Sequence, residues 1–171
     1  MSTKPENERR FLVRFPDTDN LDIVREISIK QTYLENGENN SQRRVRRTEE
    51  GSETKYIYTE KIFLTPIVRQ ETEYNITQDE YEKFIISEKR SDCVPVEKIR
   101  YCFEYRSQLF ELDKYPFSDD LAIMEIELKN PEQEIFFPDN IDIIKEVTGI
   151  HDYSNAVIAK AGSFPEQSEK R

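Results

Sequence analysis

Charge recurs at every second position along six short segments of this chain. Glu6, Glu8 and Arg10 form one such set, and Arg44 and Arg46 a second. Thr59 with Lys61, Arg69 with Glu71 and Glu73, Lys98 with Arg100, and Glu125 with Glu127 complete the series. Successive side chains of a strand point to opposite faces, so each set shares a face. The intervening residues are apolar in several segments: Val45, then Ile99 and Tyr101, then Met124, Ile126 and Leu128. A single pair of this kind is explained by an antiparallel sheet with one wet face. Six together imply more. If the apolar faces pack outward against helices, the charged faces line an interior, and a short closed β-barrel with a charged lumen satisfies both.

The remaining segments are consistent with a mainly antiparallel α+β fold. Strands are expected over 11–15, 27–34, 68–76 and 121–129, with hairpins at 43–64 and 96–115. Asp17, Thr18 and Asp19 are candidate caps for a helix over 17–26. Thr77 followed by Glu80 is a capping box, which predicts a helix to about Lys89. Short helices are expected over 141–147 and 153–160. No internal repeat or long linker interrupts the chain, so residues 1–161 read as one domain and 162–171 as a disordered tail.

Composition narrows the function classes. The chain has 171 residues, 36% of them hydrophobic and 35% charged, and a net charge of −10. That balance argues against a duplex nucleic-acid partner, since phosphate affinity rests on Lys and Arg. Four glycines and no GxxxxGK[ST] sequence exclude a P-loop nucleotidase. Cys93 and Cys102, with one histidine and no CxxC, argue against a thiolate metal site, and free thiols in a reducing compartment are the expectation. No stretch approaches the ~20 apolar residues of a membrane span, and MSTKPENERR lacks the apolar core of a signal peptide. A cytoplasmic protein with no membrane partner is expected.

The charged faces themselves suggest chemistry. Basic residues from several strands neutralise a polyphosphate. Carboxylates at i and i+2 offer the oxygen ligands that Mg²⁺ requires, and a cation so held polarises a phosphoryl group. Carboxylates alone repel such a ligand, and bases alone bind no metal. Both together point to metal-assisted phosphate chemistry.

The order of these segments resembles that of CYTH domains, the triphosphate tunnel metalloenzymes. ENERRFLV resembles the opening ExExK signature, QRRVRR the RxR strand, YTEK the TxK strand and VRQETEY the RxExE strand. EKIRY resembles the KxR strand, ELDKY the acidic strand, MEIEL the ExE strand and DYSNAVIA the C-terminal YxN segment. The resemblance spans roughly Glu6 to Lys160. It implies an antiparallel barrel open as a tunnel and hydrolysis of a triphosphate, whether inorganic tripolyphosphate or a small organic triphosphate.

Carried over residue by residue, the resemblance assigns Glu6, Glu8 and Glu127 to a divalent metal, Mg²⁺ or Mn²⁺. Glu125 and Asp113 hold a second metal or orient the attacking water. Arg44, Arg46, Lys61, Arg69, Lys98 and Arg100 grip phosphate oxygens, and Glu71 and Glu73 orient those bases or reach the metal. Arg10 stands where the motif has Lys. It keeps the charge but is a planar fork that does not give up its proton, so binding is expected to survive better than turnover. Two alternatives follow: a polyphosphate- or nucleotide-binding module without turnover, and an adenylate cyclase of the same fold. The small-molecule triphosphate is the expected partner, and an outer barrel face leaves a homodimer open.

Overall fold

The computed structural model describes the backbone of residues 2–65 and 68–168, and the side chains of residues 7–65 and 68–167. In chain order the elements are β1 (Ser2–Glu6), β2 (Glu8–Arg14), β3 (Asp22–Leu34), β4 (Gln42–Glu50), β5 (Glu53–Phe63) and β6 (Arg69–Ile76). Then come α1 (Gln78–Glu88), β7 (Val96–Tyr105), β8 (Gln108–Lys114), β9 (Leu121–Glu127), β10 (Ile143–Glu146), α2 (Asn155–Ala161) and α3 (Pro165–Ser168). Mainly antiparallel sheet with flanking helices is the α+β class that the alternating charge predicts.

The elements fall into two units, one of Met1–Glu6 with Ser28–Glu97 and the other of Asn7–Ile27 with Lys98–Arg171. In the first unit the strand order is β1-β6-β5-β4-β3. The apolar side of that sheet buries Leu34, Val45 and Tyr58 against Tyr81 of α1, with Tyr56, Ile76, Phe84 and Ile85 packed around them. α1 starts where expected: the Glu80 amide donates to Thr77 Oγ1 (3.1 Å), and the Thr77 amide donates to Glu80 Oε1 (3.2 Å). Arg43 fastens the other end of α1 to the sheet, donating to Tyr58 Oη (2.8 Å) and Glu88 Oε1 (2.8 Å).

In the second unit the order is β7-β8-β9-β2-β10. Phe11, Val13, Phe103, Phe110, Leu112, Ala122, Met124 and Ile126 share one face of these strands and form the main core, with Ile135, Phe137, Ile141 and Ile143 laid over it. Each such side chain stabilises the fold by ~1.5–3 kcal/mol on burial. This packing uses up the apolar face and leaves the charged face of the same strands turned the other way.

Several expectations are corrected. The closed barrel is not formed: among the described residues each unit's strand order is open, with no ladder returning the last strand to the first. Residues 17–26 are not a helix. Asp17 does cap, accepting from the Asp19 amide at 3.0 Å, but only a single 3₁₀ turn follows at Thr18–Asn20 before β3 begins. Ile23, Ile27 and Ile29 lie at even spacing, and that period of two prevails over the cap. The same holds for 141–147, where Ile141 and Ile143 pack on the core and Ile143–Glu146 is a strand. Within the expected tail of 162–171 a short helix, α3, runs over Pro165–Ser168, and residues 169–171 lie outside the described residues. Gly162 ends α2 at φ 67°, and Phe164 is 0% exposed.

Candidate functional site

The charged faces foreseen in the sequence exist in each unit. In the first, Arg44 lies opposite Thr59, which lies opposite Glu73, and Lys61 lies opposite Glu71. These residues with Arg46 share the face that points away from Val45 and Tyr58. Thr59, Lys61 and Glu71 are buried. Glu73 Oε2 accepts from Arg46 Nη2 and Thr59 Oγ1, each at 3.4 Å. Burial opposes the Glu73 charge, but the Glu71 hydrogen bond and the nearby Arg46 and Arg44 hold its pKa below the usual carboxylate value. Arg44 Nε is buried without a hydrogen-bond partner among the described residues. A buried, unsatisfied guanidinium N–H on a cationic face is suited to an anionic oxygen. Arg69 lies farther along β6, with its guanidinium 5.3 Å from the centre of the Phe63 ring.

Sequence reasoning passed over two members of this face. Gln31 lies opposite Arg46 and Tyr33 opposite Arg44. Both are buried, and Gln31 Nε2 donates to Tyr33 Oη at 2.9 Å. The signal was available as polar atoms at i and i+2 in a strand already recognised as one.

The second unit arranges its face in rows across β2, β9, β8 and β7. Glu8 lies opposite Glu127 at one end. The next row is Arg10, Glu125, Glu111 and Cys102. Beyond it, Ile123 lies opposite Asp113, which lies opposite Arg100. Arg10 Nε donates to Glu125 Oε1 at 3.0 Å, while Arg10 Nη2 is buried without a hydrogen-bond partner among the described residues. Arg100 reaches Asp113 through Nε (2.8 Å) and Nη2 (2.9 Å) and Glu111 through Nη1 (2.5 Å). Lys98 Nζ is 2.8 Å from Asp113 Oδ2. Glu111 was not singled out from sequence, although FELDK places it two positions before Asp113 on the same face.

Burial and charge act against each other throughout. Burial pulls the Lys98 ammonium down to about 8, with Asp113 opposing. Burial raises the Asp113 carboxyl, yet Arg100 and Lys98 outweigh it and hold Asp113 well below the carboxylate range. Glu125 behaves likewise, with Arg10 overcoming its burial. Burial wins at Glu111, which is pushed up despite Arg100. Burial likewise raises the Cys102 thiol. Cys93 and Cys102 are both free.

The donor chemistry fits a hard divalent cation. Glu8 and Glu127 are oxygen donors whose backbones stand ~5 Å apart across the ladder, and Mg²⁺ is held by one or two carboxylates together with water and substrate phosphates. Among the described residues no three His, Cys, Asp or Glu side chains already converge as a protein-only cage. Glu6 lies on β1, and its side chain is outside the described residues. Asp113 has both oxygens engaged by Lys98 and Arg100.

Comparison with known proteins bears on the fold and the family. No protein-family model matches the chain, and no curated protein does. Among solved structures, the hypothetical protein NE1496 is 30% identical, covering 94% of this chain and 99% of its own, with a TM-score of 0.53. A structure described as the inorganic triphosphatase NE1496 is 28% identical over 90% of this chain and 96% of its own, also at 0.53. The PH1012 protein of Pyrococcus horikoshii shares the fold at 18% identity, 74% and 81% coverage, and a TM-score of 0.51. No described helix is long and apolar enough to cross a membrane.

Proposed function

We propose that this chain, which belongs to the CYTH family of triphosphate tunnel metalloenzymes, is a metal-dependent triphosphatase acting on inorganic tripolyphosphate or a small organic triphosphate. The observation that carries the reading is the row order of the second unit: a carboxylate pair, Glu8 and Glu127, at one end of a face whose other end holds Lys98 and Arg100. A polyphosphate with its cation needs carboxylates for the metal and cations for the phosphate oxygens. The 28% identical inorganic triphosphatase supports the choice of reaction.

On this reading Glu8 and Glu127, with Glu6 as a further candidate, hold Mg²⁺ or Mn²⁺. When bound, the cation neutralises phosphate charge and polarises the phosphoryl group. Lys98 and Arg100 bind phosphate oxygens at the far end, and Arg10 presents its unsatisfied Nη2 between them. Glu125, fixed by Arg10, orients the attacking water. Arg44, Arg46, Lys61 and Arg69 of the first unit are phosphate-binding cations. Preset charges of this kind supply most of the rate in phosphoryl transfer.

The test is phosphate release from tripolyphosphate, ATP and thiamine triphosphate with Mg²⁺, Mn²⁺ or EDTA. Metal-dependent release from one of them is expected, and no release from any overturns the reading. One observation favours binding without turnover as a second reading. Arg10 stands at the family's lysine position and is paired with Glu125, so it has no proton to give a leaving phosphate. Thermal stabilisation by tripolyphosphate with no phosphate released identifies that case.

A further inference from the structure

Asp113 differs from the other carboxylates of its face in burial and in what surrounds it. It is 0% exposed. Its Oδ1 accepts from Arg100 Nε and its Oδ2 from Arg100 Nη2, a bidentate pair at 2.8 and 2.9 Å. Lys98 Nζ also lies 2.8 Å from Oδ2. A carboxylate accepts at about four lone-pair sites, and three are occupied here by charged donors. The two-point contact fixes the plane of the guanidinium as well as its distance.

Position separates Asp113 from the carboxylates suited to a cation. Its partner on β9 is Ile123, four residues along the strand from Glu127, which lies opposite Glu8. At ~3.4 Å per residue that is ~14 Å between rows. Two oxygens on one Mg²⁺ ion, each ~2.1 Å from it, span no more than ~4 Å. Glu125 is one row nearer, but its Oε1 is taken by Arg10. A cation between Asp113 and Glu125 has to enter a nest already holding Lys98, Arg100 and Arg10, and to displace at least one of them.

We infer that Asp113 is a positioning residue, not a metal ligand: it holds Lys98 and Arg100 in the orientation that receives phosphate oxygens. This deepens the triphosphatase reading and rests on it. Lys98 carries a flexible stem and a spherical charge, and Arg100 a fork with several rotamers. Asp113 ties both heads to a single carboxylate on the adjacent strand. The cost of ordering them is then met on folding, before ligand arrives.

Two binding measurements on the full chain test this without depending on turnover. Calorimetry gives the affinity for tripolyphosphate in EDTA, and electron paramagnetic resonance gives the affinity for Mn²⁺ alone. Asp113→Asn is expected to weaken tripolyphosphate binding by about tenfold or more, as misplacement of a binding group does, and to leave Mn²⁺ affinity unchanged. In turnover the change is expected mainly in KM for tripolyphosphate, with the Mn²⁺ concentration for half-maximal rate unmoved. Asp113→Glu, which keeps the charge, is expected to restore part of the loss. Loss of Mn²⁺ affinity with unchanged tripolyphosphate affinity overturns the inference.

If Asp113→Asn does not fold, Lys98→Gln decides the matter. It frees one Asp113 contact while leaving the Arg100 pair. Unchanged Mn²⁺ affinity supports the positioning role. Mn²⁺ binding tightened by about tenfold overturns it, because a liberated metal ligand gains affinity. Wild type runs beside both variants. Should wild type neither bind tripolyphosphate nor release phosphate from it, the triphosphatase reading falls, and this inference with it.

Discussion

Arg10 Nε and Glu125 Oε1 stand 3.0 Å apart on directly opposed residues of neighbouring strands, with only 11% and 10% of their side chains exposed. Such a pair contributes little net stability over apolar residues of the same size, but either half alone is costly. Arg10→Leu, which leaves Glu125 buried and unpaired, is expected to destabilise the fold by ~3 kcal/mol. The Arg10→Leu/Glu125→Leu double variant is expected to be more stable than either single one. Urea denaturation of the four proteins in this cycle measures the coupling, and simple additivity of the two single losses refutes it.

Glu8 and Glu127 face each other at the rim of the same face, and Glu127 is exposed. Glutamine removes the charge at each position while keeping the size and hydrogen-bonding capacity of the side chain. Glu8→Gln and Glu127→Gln are each expected to keep the melting temperature within ~3 °C. Each is expected to raise the Mn²⁺ concentration for half-maximal phosphate release by about tenfold or more, since cation affinity follows the number of charged ligands. Wild-type metal dependence in both variants sinks the metal assignment.

How much of this was legible in the sequence depended on the period being read. Where charge and apolar residues alternated cleanly, as at Lys98–Tyr101 and Met124–Leu128, the face followed directly. Where a capping residue preceded a mixed segment, as at Asp17, the local signal was real but ended after one 3₁₀ turn. The isoleucines at 23, 27 and 29 then decided the strand. Ladder partners were not legible. That Asp113 meets Lys98 and Arg100, and not the Glu8 row, depends on register, which no single strand encodes. The division at Asn7, with β1 paired to β6 and β2 to β9, was hidden for the same reason: ENERR reads as one strand.

The turn between β7 and β8 holds two non-glycine residues in the left-handed region, Arg106 at φ 50° and Ser107 at φ 61°. Tight hairpins need this conformation at both central positions and favour Asn-Gly for it. Arg106 is retained by its contacts with the Phe136 and Tyr105 rings, at 5.2 and 5.6 Å. Ser107 makes no such contact with a neighbouring ring. Ser107→Gly is therefore expected to stabilise the protein by ~0.5–1 kcal/mol. A lower midpoint in urea contradicts the strain.

Phe164 anchors a segment whose composition suggested a loose tail. It is 0% exposed and meets the Tyr115 and Phe117 rings at 5.7 and 5.3 Å. Gln167 Nε2 donates to Ser118 Oγ at 2.8 Å, and Tyr115 Oη donates to Asn155 Oδ1. Phe164→Ala is expected to cost ~3 kcal/mol, the usual penalty for emptying a buried aromatic site. A loss below ~1 kcal/mol in denaturation shows that the segment is dispensable to the fold.

Lys98 sets the pH behaviour. Its ammonium is held at about 8 in the folded chain, against an ordinary 10.5. Between those values the unfolded chain binds more protons than the folded one, so stability rises with pH across that window. The rise attributable to Lys98 is at most ~3 kcal/mol. Asp113, held far below its ordinary value, does not titrate there. Other lysines and tyrosines do, so the comparison is with Lys98→Met, in which this part of the rise is expected to vanish. Tripolyphosphate binding is expected to follow the opposite course, weakening above about pH 8 as the neutral amine loses its attraction for phosphate. Calorimetric titrations from roughly pH 7 to pH 10 on wild type and Lys98→Met measure this. A wild-type affinity that stays level, or that falls in parallel with the variant's, removes Lys98 from the phosphate-binding set.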